Sequence, residues 1–426
     1  MTKSEYNTVQ DEQAEEAGEW KRKLSLILSY SSKLSASSGL SNILRLIADE
    51  TKEILNAGRC SVYLLDREKH KLYSWVSHGL DKRQIRFSAT RGLAGATVST
   101  GETINIKDAY NDPRFNPEFD MRTGYRTRSV LCMPLVNQFG ETLGVFQVLN
   151  KKNGVFSTQD EEVLGLLSQQ ASAAVENSML YDELKKSFTS FINTLAQAID
   201  ARDPMTSGHS TRVSSYSQLI AEQMDYSSEE MEVLNYAALL HDLGKIGVKE
   251  AILTKPGQLE PEEQEHIQTH AAITRKILEQ IYFQHEFRDI PKIASAHHEN
   301  LDGTGYPEGL KGEEIPEIAR IIAVADVFDA ITYKRHYREP MPFEKVIGII
   351  VSDSGKKFDP VCVDAFLNLN IYELLKIMTD ETDVSISEEA EEIFEGVTIK
   401  QFISLMGNNS SPVLQEFVKY YPAGCT

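Results

Sequence analysis

The stretch HDLGK, residues 241–245, places a histidine and an aspartate side by side at the end of a helical pattern. The apolar residues before it recur at helical spacing and are Met231, Leu234, Ala238 and Leu239. Adjacent side chains on a helix diverge by about 100°, so His241 and Asp242 are expected to point in different directions. From about residue 187 to 368 the pattern is nearly all helical, which predicts an all-α bundle around this stretch.

Histidines and aspartates recur in five successive predicted helices of this region. They are His209, His241, Asp242, His270, His297, His298 and Asp326. Imidazole and carboxylate are the ligands that zinc, iron and manganese take. Seven groups are too many for one ion with an open position, so we expect two ions, and Asp242 is the natural bridge between them. Two such metals are a common arrangement for hydrolysing phosphate esters.

Burial cost supports this assignment at Asp326. The residue lies in the otherwise apolar segment IIAVADVFDAI, where an unpaired carboxylate would be expensive. A lone buried histidine with a hydrogen-bond partner is more often a core residue than a ligand. We therefore leave His266, His285 and His336 as structural residues.

Composition limits what the chain can bind. The 426 residues suggest two or three domains, and 63 acidic against 44 basic residues give a net charge of −19. This charge argues against broad binding to nucleic acid or to an anionic membrane, both of which need a basic face. Four distant cysteines, no apolar run of about 18 residues and a polar, acidic N-terminus favour a cytoplasmic protein with reduced thiols.

The first half of the chain predicts an α+β domain. Alternating strand patterns at 61–66 and 71–77, and again across 129–150, indicate two hairpins. Helical patterns at 40–56 and 158–200 accompany them. The expected domain is an antiparallel sheet flanked by helices.

The fold class is thus a multidomain chain with an α+β part, a long connecting helix and an all-α part. The predicted divisions are a disordered N-terminus at 1–17, an α+β domain with its leading helix at 18–178, a connector helix at 179–200, a helical domain at 201–369 and an acidic extension at 370–426. The sequence assigns no chemistry to the extension.

The helical pattern at 158–200 has no Gly or Pro after Gly165. A helix this long between two domains commonly pairs with its copy. We therefore predict a parallel homodimer through residues 18–35 and 160–200. Two helices with a bend near Ser178 are the alternative.

Residues of about 190–368 closely resemble the HD-GYP phosphodiesterases, a bacterial branch of the HD superfamily. The motifs that carry the resemblance are HDLGK, HHENLDGTGYP, GKKFDP and Asp326 with the later KRHYR. The resemblance implies an HD-superfamily bundle that hydrolyses cyclic dinucleotides, chiefly cyclic di-GMP, to linear pGpG or onward to GMP. It also implies that the seven residues above are the metal ligands and that a metal-bridging hydroxide is the nucleophile.

The same resemblance implies roles for further residues. The catalytic group comprises His241, Asp242 and Lys245, and the substrate contacts are Lys245, Tyr306, Arg335 and Arg338. Lys245 is expected to hold a phosphate oxygen, and the arginines to grip phosphates bidentately. Tyr306 is expected to stack on a guanine. The alternatives are a solvated helix end for the two arginines and a merely structural loop for Tyr306.

One position sets the expected number of metals. Family members with three metals carry a glutamate four residues before the first histidine, where this chain has Met205. A thioether is a poor ligand for hard divalent iron or manganese. We therefore predict two ions, iron or manganese, although the ligand set also suits zinc.

Residues of about 40–178 resemble GAF domains, in particular those of cyclic-nucleotide phosphodiesterases and cyclases. The signature residues are Asn150, Lys151, Phe156, Asp160 and Glu161. The resemblance implies that the domain binds cyclic AMP or cyclic GMP. Lys151 and Asp160 are expected to form a salt bridge that pins the loop before the last helix.

The resemblance also implies which residues line the ligand pocket. They are Ser61, Ala94, Asp120, Thr123, Thr127 and Gln147. The position that stacks an aromatic ring on the base falls near Ser77 and His78, and neither is a phenylalanine. A GAF domain that only dimerises is the alternative.

Together these expectations describe a GAF-regulated cyclic di-GMP phosphodiesterase in which the GAF ligand shifts a population of states. Two alternatives stay open at the catalytic end. One is a catalytically weak receptor for cyclic di-GMP that acts through partners. The other is a phosphodiesterase for a different cyclic dinucleotide, such as cyclic GMP-AMP.

Overall fold

The computed structural model describes residues 25, 28–37, 39–74, 85–202, 208–255, 257–333, 341–380, 386–406 and 411–421. Several predictions concern positions outside these residues, namely the disordered N-terminus at 1–17, most of the helix at 18–35, Ser77, His78, Met205, Arg335, His336 and Arg338. The chain divides into two units, Met1–Lys186 and Ser187–Thr426. No helix among the described residues is long and apolar enough to cross a membrane.

The first unit contains one antiparallel sheet of six strands in the order β3-β2-β1-β6-β5-β4. The strands are β1 Ala57–Asp66, β2 Lys71–Ser74, β3 Ile85–Ser88, β4 Ile104–Ile106, β5 Val130–Val136 and β6 Thr142–Lys151. Both predicted hairpins are present. In the register of β1 and β6, Ser61 lies opposite Gln147, and Cys132 of β5 also lies opposite Gln147.

Helices flank this sheet as predicted. They are α1 Leu40–Ile54, α2 Gly92–Thr100, α3 Glu118–Thr123 and α4 Thr158–Asp200. Because side chains alternate along a strand, β6 contributes to two cores: Phe146 packs with α1 and the start of α4, whereas Val145 packs with α2. The sheet therefore has a helix-covered core on one face and a second, smaller core on the other.

Helix α4 runs without interruption for 43 residues. Its start is fixed by Ser157 and Asp160, since the Asp160 carboxylate accepts the Ser157 N–H at 2.9 Å and the Ser157 hydroxyl accepts the Asp160 N–H at 3.2 Å. The structure thus has one helix where the sequence left a bent pair of helices as an alternative.

The regular elements described in the second unit are helices, as predicted. After the end of α4 they are α5 His209–Glu222, α6 Ser228–Leu240, α7 Glu250–Leu253, α8 Pro261–Leu278, α9 Ile290–Ser295, α10 Glu317–Thr332, α11 Phe343–Ser352, α12 Pro360–Leu367, α13 Ile371–Thr379, α14 Glu388–Phe394, α15 Ile399–Leu405 and α16 Pro412–Tyr420. A short 3-10 turn, Leu243–Gly247, follows α6.

The C-terminal extension packs into the core of this unit. The ring centroid of Phe343, at the start of α11, lies 5.6 Å from that of Phe402, 5.0 Å from that of Phe417 and 5.7 Å from that of Tyr421. All four rings are buried. The segment to which the sequence assigned no chemistry therefore has a structural role in the helical unit.

Candidate metal centre

The structure brings all seven predicted ligands together. His209 is the first residue of α5, His241 and Asp242 directly follow α6, and His270 lies on α8. His297 and His298 follow α9, and Asp326 lies on α10. Six of the seven are buried and His298 is partly buried.

Asp242 lies at the centre of this cluster. Its Oδ2 is 3.2 Å from Nε2 of His241 and 3.6 Å from Nε2 of His209. Its Oδ1 is 3.3 Å from Nε2 of His270 and 4.0 Å from Nε2 of His297. Each carboxylate oxygen thus faces a different pair of imidazoles, which is the arrangement a bridging ligand needs.

The remaining contacts divide the cluster into two sets. Asp326 Oδ1 lies 3.3 Å from Nε2 of His209 and 3.9 Å from Nε2 of His241. His270, His297 and His298 form the other set, in which all three ligand atoms lie within 4.8 Å of one another. The two sets with Asp242 between them have the chemistry of a site for two ions.

The Nδ1 hydrogen bonds of three imidazoles suit metal binding. Nδ1 of His241, His270 and His297 donates to the backbone carbonyl three residues earlier, at 2.6, 2.7 and 2.7 Å. A carbonyl only accepts, so the proton lies on Nδ1 and the Nε2 lone pair faces the cluster. Nε2 of His241 is buried and, although it lies 3.2 Å from Oδ2 of Asp242, no contact with the described residues has the geometry of a hydrogen bond. Buried polar atoms rarely stay unpaired, and a metal ion would satisfy this one.

The pKa values of the histidines differ between the two sets. Burial lowers the pKa of His297 well below its usual range and that of His298 to about 4. Burial alone would also lower the pKa of His209, but hydrogen bonds to Asp242, Asp326 and Asp329 raise it well above the usual value. Without metal, His209 therefore carries a proton while His297 and His298 are neutral.

Asp329 and Arg212 complete the site and were not identified from the sequence. The Asp329 carboxylate accepts Nδ1–H of His209 at 2.8 Å and Nε–H of Arg212 at 2.7 Å. Both new residues are buried. A usable signal was present, because Asp329 lies in the same apolar segment as Asp326 and the same burial cost applies to it.

The GTGYP loop forms one wall of the site. The ring of Tyr306 lies 4.8 Å from that of His298 and 6.3 Å from that of His270. A Cβ on Gly305 would lie 2.3 Å from the backbone nitrogen of Asn300, so only glycine allows the loop to return so close to the histidine pair. The buried carboxylate of Glu299, also missed in the sequence, accepts three backbone N–H groups just after this loop, those of Glu308, Gly309 and Leu310.

Lys245 contacts the central carboxylate of the cluster. Its Nζ is 2.6 Å from Oδ2 of Asp242, and its side chain is 20% exposed. Burial alone would raise the pKa of Asp242, but Lys245 and His241 hold it well below its usual value. The lysine therefore already balances the charge of the central carboxylate.

A second site lies in the first unit. All six predicted pocket residues, Ser61, Ala94, Asp120, Thr123, Thr127 and Gln147, line one cavity. The cavity also contains aromatic and cationic side chains that the sequence did not identify, namely Phe87, Phe115, Phe119, Tyr125, Arg59 and Arg91. The Asp120 carboxylate accepts the N–H and the hydroxyl of Thr127 at 2.6 and 2.7 Å, so these two residues shape the wall together.

The signature residues of the first unit support this cavity from outside. Lys151 Nζ forms the predicted ion pair with Asp160 at 2.7 Å. Asn150 accepts the Arg128 N–H at 2.6 Å and donates to the Arg126 carbonyl at 2.9 Å. These contacts connect the end of β6 to the segment around Thr127 and to the start of α4.

Comparison with known proteins identifies the domain type of each unit. A family model described as HD domain matches residues 193–362, and one described as GAF domain matches residues 39–175. The chain is 43% identical over 190 residues to a 3'3'-cGAMP-specific phosphodiesterase 3 of Vibrio cholerae, covering 45% of this chain and 40% of that protein.

Two further relatives carry related names. The chain is 39% identical over 202 residues to the cyclic di-GMP phosphodiesterase response regulator RpfG of Xanthomonas campestris, covering 47% of this chain and 53% of that protein. It is 44% identical over 174 residues to a cyclic di-GMP phosphodiesterase of Thermotoga maritima, covering 39% and 45%. The chain thus spans about half the length of these relatives or less. From the cavity and signature of its first unit, the histidine–aspartate cluster of its second and these matches, the chain contains a GAF domain followed by an HD domain whose clustered side chains could hold metal ions.

Proposed function

We propose that the chain hydrolyses cyclic di-GMP to pGpG, to GMP or to both at the site around Asp242. The observation that carries the proposal is the central position of this carboxylate, with one oxygen toward His209 and His241 and the other toward His270 and His297. The names of two relatives, both cyclic di-GMP phosphodiesterases, favour this substrate.

Two divalent ions, iron or manganese with zinc as the alternative, fit the donor set. His209, His241 and Asp326 would hold one, and His270, His297 and His298 the other, with Asp242 shared. Ions in such a site supply an activated water and neutralise charge on the phosphate. The inference of two ions rather than three rests on Met205, which lies outside the described residues.

The chain's own residues bind and orient the substrate. Lys245 places a positive charge 2.6 Å from Asp242, where it can attract a phosphate oxygen. Tyr306 presents a ring beside His298 on which a guanine can stack. Arg335 and Arg338, outside the described residues, remain the proposed phosphate grips.

The decisive experiment is turnover by the full chain loaded anaerobically with Fe(II) or Mn(II). Chromatography should show cyclic di-GMP converted to pGpG or GMP, with two ions bound per chain. The matched control is the variant Asp242→Asn, which keeps the side-chain volume and loses the bridging charge. Binding of cyclic di-GMP by the loaded chain without hydrolysis would instead establish the receptor alternative.

Cyclic GMP-AMP is a second candidate substrate, favoured by the name of the Vibrio cholerae relative. Both dinucleotides carry two phosphodiester anions, so Lys245 does not discriminate between them. Competition between the two at equal concentration measures the preference directly as a ratio of kcat/KM values.

We also propose that the GAF domain binds cyclic AMP or cyclic GMP. The cavity offers Phe87 and Phe115 for the base, the hydroxyl of Thr123 for polar edges and Arg59 and Arg91 for the phosphate. A rise in Tm with either nucleotide, lost in the variant Arg91→Met, is the expected result. No shift with either nucleotide would leave dimerisation as the function of the domain.

A parallel homodimer through α4 completes the proposal. Leu180 and Leu184 are 57% and 61% exposed although they are large and apolar, and Phe191 is 54% exposed. Their spacings of four and seven residues place them on one side of the helix. The variant Leu180→Glu with Leu184→Glu should convert a dimer to a monomer in light scattering, whereas exchange of the exposed Phe139 for serine should not.

A further inference from the structure

The last residue of α4 contacts the first turn of the helix that carries His209. Asp200 is only 5% exposed. Its Oδ2 accepts the Ser210 N–H at 3.1 Å and its Oδ1 accepts the Ser210 hydroxyl at 2.7 Å. Since Ser210 directly follows His209, the end of the connecting helix is bonded to the neighbour of a candidate metal ligand.

This contact replaces a missing helix cap. The first N–H groups of a helix have no partner within it, and α5 begins after Gly208, which has no side chain to accept them. Asp200 supplies the acceptor from another helix. A negative charge is also favourable at a helix N-terminus because of the helix dipole. The first turn of α5, and His209 with it, therefore depends on a residue of α4.

A second contact, two residues further along, reaches the other ligand segment. The Arg202 guanidinium donates to the carbonyl of Ile246 and, at 2.7 Å, to that of Val248. These carbonyls lie at the end of the turn that follows His241 and Asp242. Asp200 thus binds the start of α5, which carries His209, and Arg202 binds the turn that follows Asp242.

The last part of α4, which ends at Asp200 two residues before Arg202, packs within the helical unit. Ile192, Ala196 and Ile199 are buried in its core. The Thr189 hydroxyl lies 2.8 Å from that of Tyr236 on α6, the helix that ends at His241. A shift of this part of α4 therefore moves Asp200 and Arg202 relative to both ligand segments.

We propose that Asp200 and Arg202 are positioning residues that hold His209 and the turn after Asp242 in the arrangement from which these groups would bind metal. The end of α4 is then the place where the position of the connecting helix acts on the metal centre. The kinetic consequence rests on the proposed function, whereas metal affinity and local amide exchange do not.

The test uses the full chain with Asp200→Ala and, separately, Arg202→Met. We expect Mn(II) affinity, measured by calorimetry, to fall by about 10–100-fold, the usual effect of removing a residue that orients a ligand. Amide exchange in the segment that begins at Gly208 should accelerate, and kcat should fall while KM for cyclic di-GMP stays constant. Asp200→Asn keeps one acceptor oxygen and should recover most of the affinity.

The matched control is Asn370→Ala, which removes an ordinary cap from α13, where the Asn370 side chain accepts the Tyr372 N–H at 2.8 Å. It should leave Mn(II) affinity unchanged. Wild-type affinity and exchange in folded Asp200→Ala, and in the folded double variant of Asp200→Ala with Ser210→Ala, would overturn the proposal. A wild-type chain that binds two Mn(II) ions without cleaving cyclic di-GMP would refute the proposed function alone. The positioning role would still be tested by the Mn(II) affinity and the amide exchange of the variants.

Discussion

Nδ1 of His209 lies 2.8 Å from Oδ2 of Asp329, and the same carboxylate accepts the Nε–H of Arg212 at 2.7 Å. This pair fixes the tautomer of the imidazole, because a carboxylate on Nδ1 leaves Nε2 free to face Asp242 and Asp326. The other histidines of the cluster with a defined Nδ1 partner use backbone carbonyls. His209 is therefore held by a side chain that can be exchanged without altering the backbone.

Exchange of Asp329 should lower both the metal affinity and the stability of the helical unit. Asp329→Ala removes the carboxylate that pairs with the buried Arg212, which should lower the free energy of unfolding by about 3–5 kcal/mol. Mn(II) affinity should fall by about 10–100-fold. Denaturant unfolding and metal titration of the same preparations measure the two effects.

The double variant Asp329→Ala with Arg212→Met is the control. It removes both charges and should recover much of the lost stability, since an apolar side chain replaces a buried cation that has lost its carboxylate. It should not recover metal affinity, because His209 still lacks its partner. Recovery of both would show that Asp329 acts only on stability.

Metal binding should release a proton from His209 at neutral pH. Its pKa is raised well above the usual value by Asp242, Asp326 and Asp329, which outweigh the opposite effect of burial. A ligand imidazole must be neutral, so affinity should rise as pH rises toward the pKa of His209. Calorimetry in buffers of different ionisation enthalpy counts the released protons.

The matched control for proton release is His298. Burial lowers its pKa to about 4, so at pH 7 it is already neutral and has no proton to lose. His298→Gln should therefore release as many protons per bound ion as the wild type, while His209→Gln should release fewer. Equal release by both variants would contradict the assignment.

The sequence identified the seven side chains that cluster because each lies in a short motif or in a buried apolar segment. It did not predict the contacts that orient them. Asp329 and His209 are 120 residues apart, and Asp200 meets Ser210 across a segment that leaves no periodic signal. Such pairings depend on how helices pack, which local spacing does not encode.

The extension at 370–426 and the GAF cavity show the same limit. Helices α14 and α15 have seven residues each, too few turns for a clear apolar period. Phe87 and Phe115 reach the cavity from β3 and from the segment after β4, so the cavity has aromatic residues although the expected stacking position has none.

Gly305→Ala should impair the site without unfolding the domain. Its Cβ would lie 2.3 Å from the Asn300 nitrogen and 2.5 Å from the His298 oxygen, both backbone atoms. The GTGYP loop must then move, and Tyr306 with it, so kcat/KM should fall about tenfold or more. Stability should fall by about 1–3 kcal/mol.

Gly348 offers a matched control in α11. A Cβ there would meet no heavy atom within 4 Å, so Gly348→Ala should stabilise the helix by up to about 1 kcal/mol and leave kcat/KM unchanged. Equal kinetic effects of the two exchanges would show that the loop tolerates displacement. Steady-state rates at several substrate concentrations make the comparison.

Phe417→Ala should show that the extension belongs to the folded helical unit. The ring is buried against Phe343, Phe402 and Tyr421, so its loss should lower the free energy of unfolding by about 3–5 kcal/mol. The neighbouring Val418 on the same helix is 50% exposed, and Val418→Ala should change stability by no more than about 0.5 kcal/mol. Phe343 lies on α11, outside the extension, so its contact with Phe417 joins the extension to the rest of the helical unit. Equal effects of Phe417→Ala and Val418→Ala would mean that residues 370–426 do not contribute to this core.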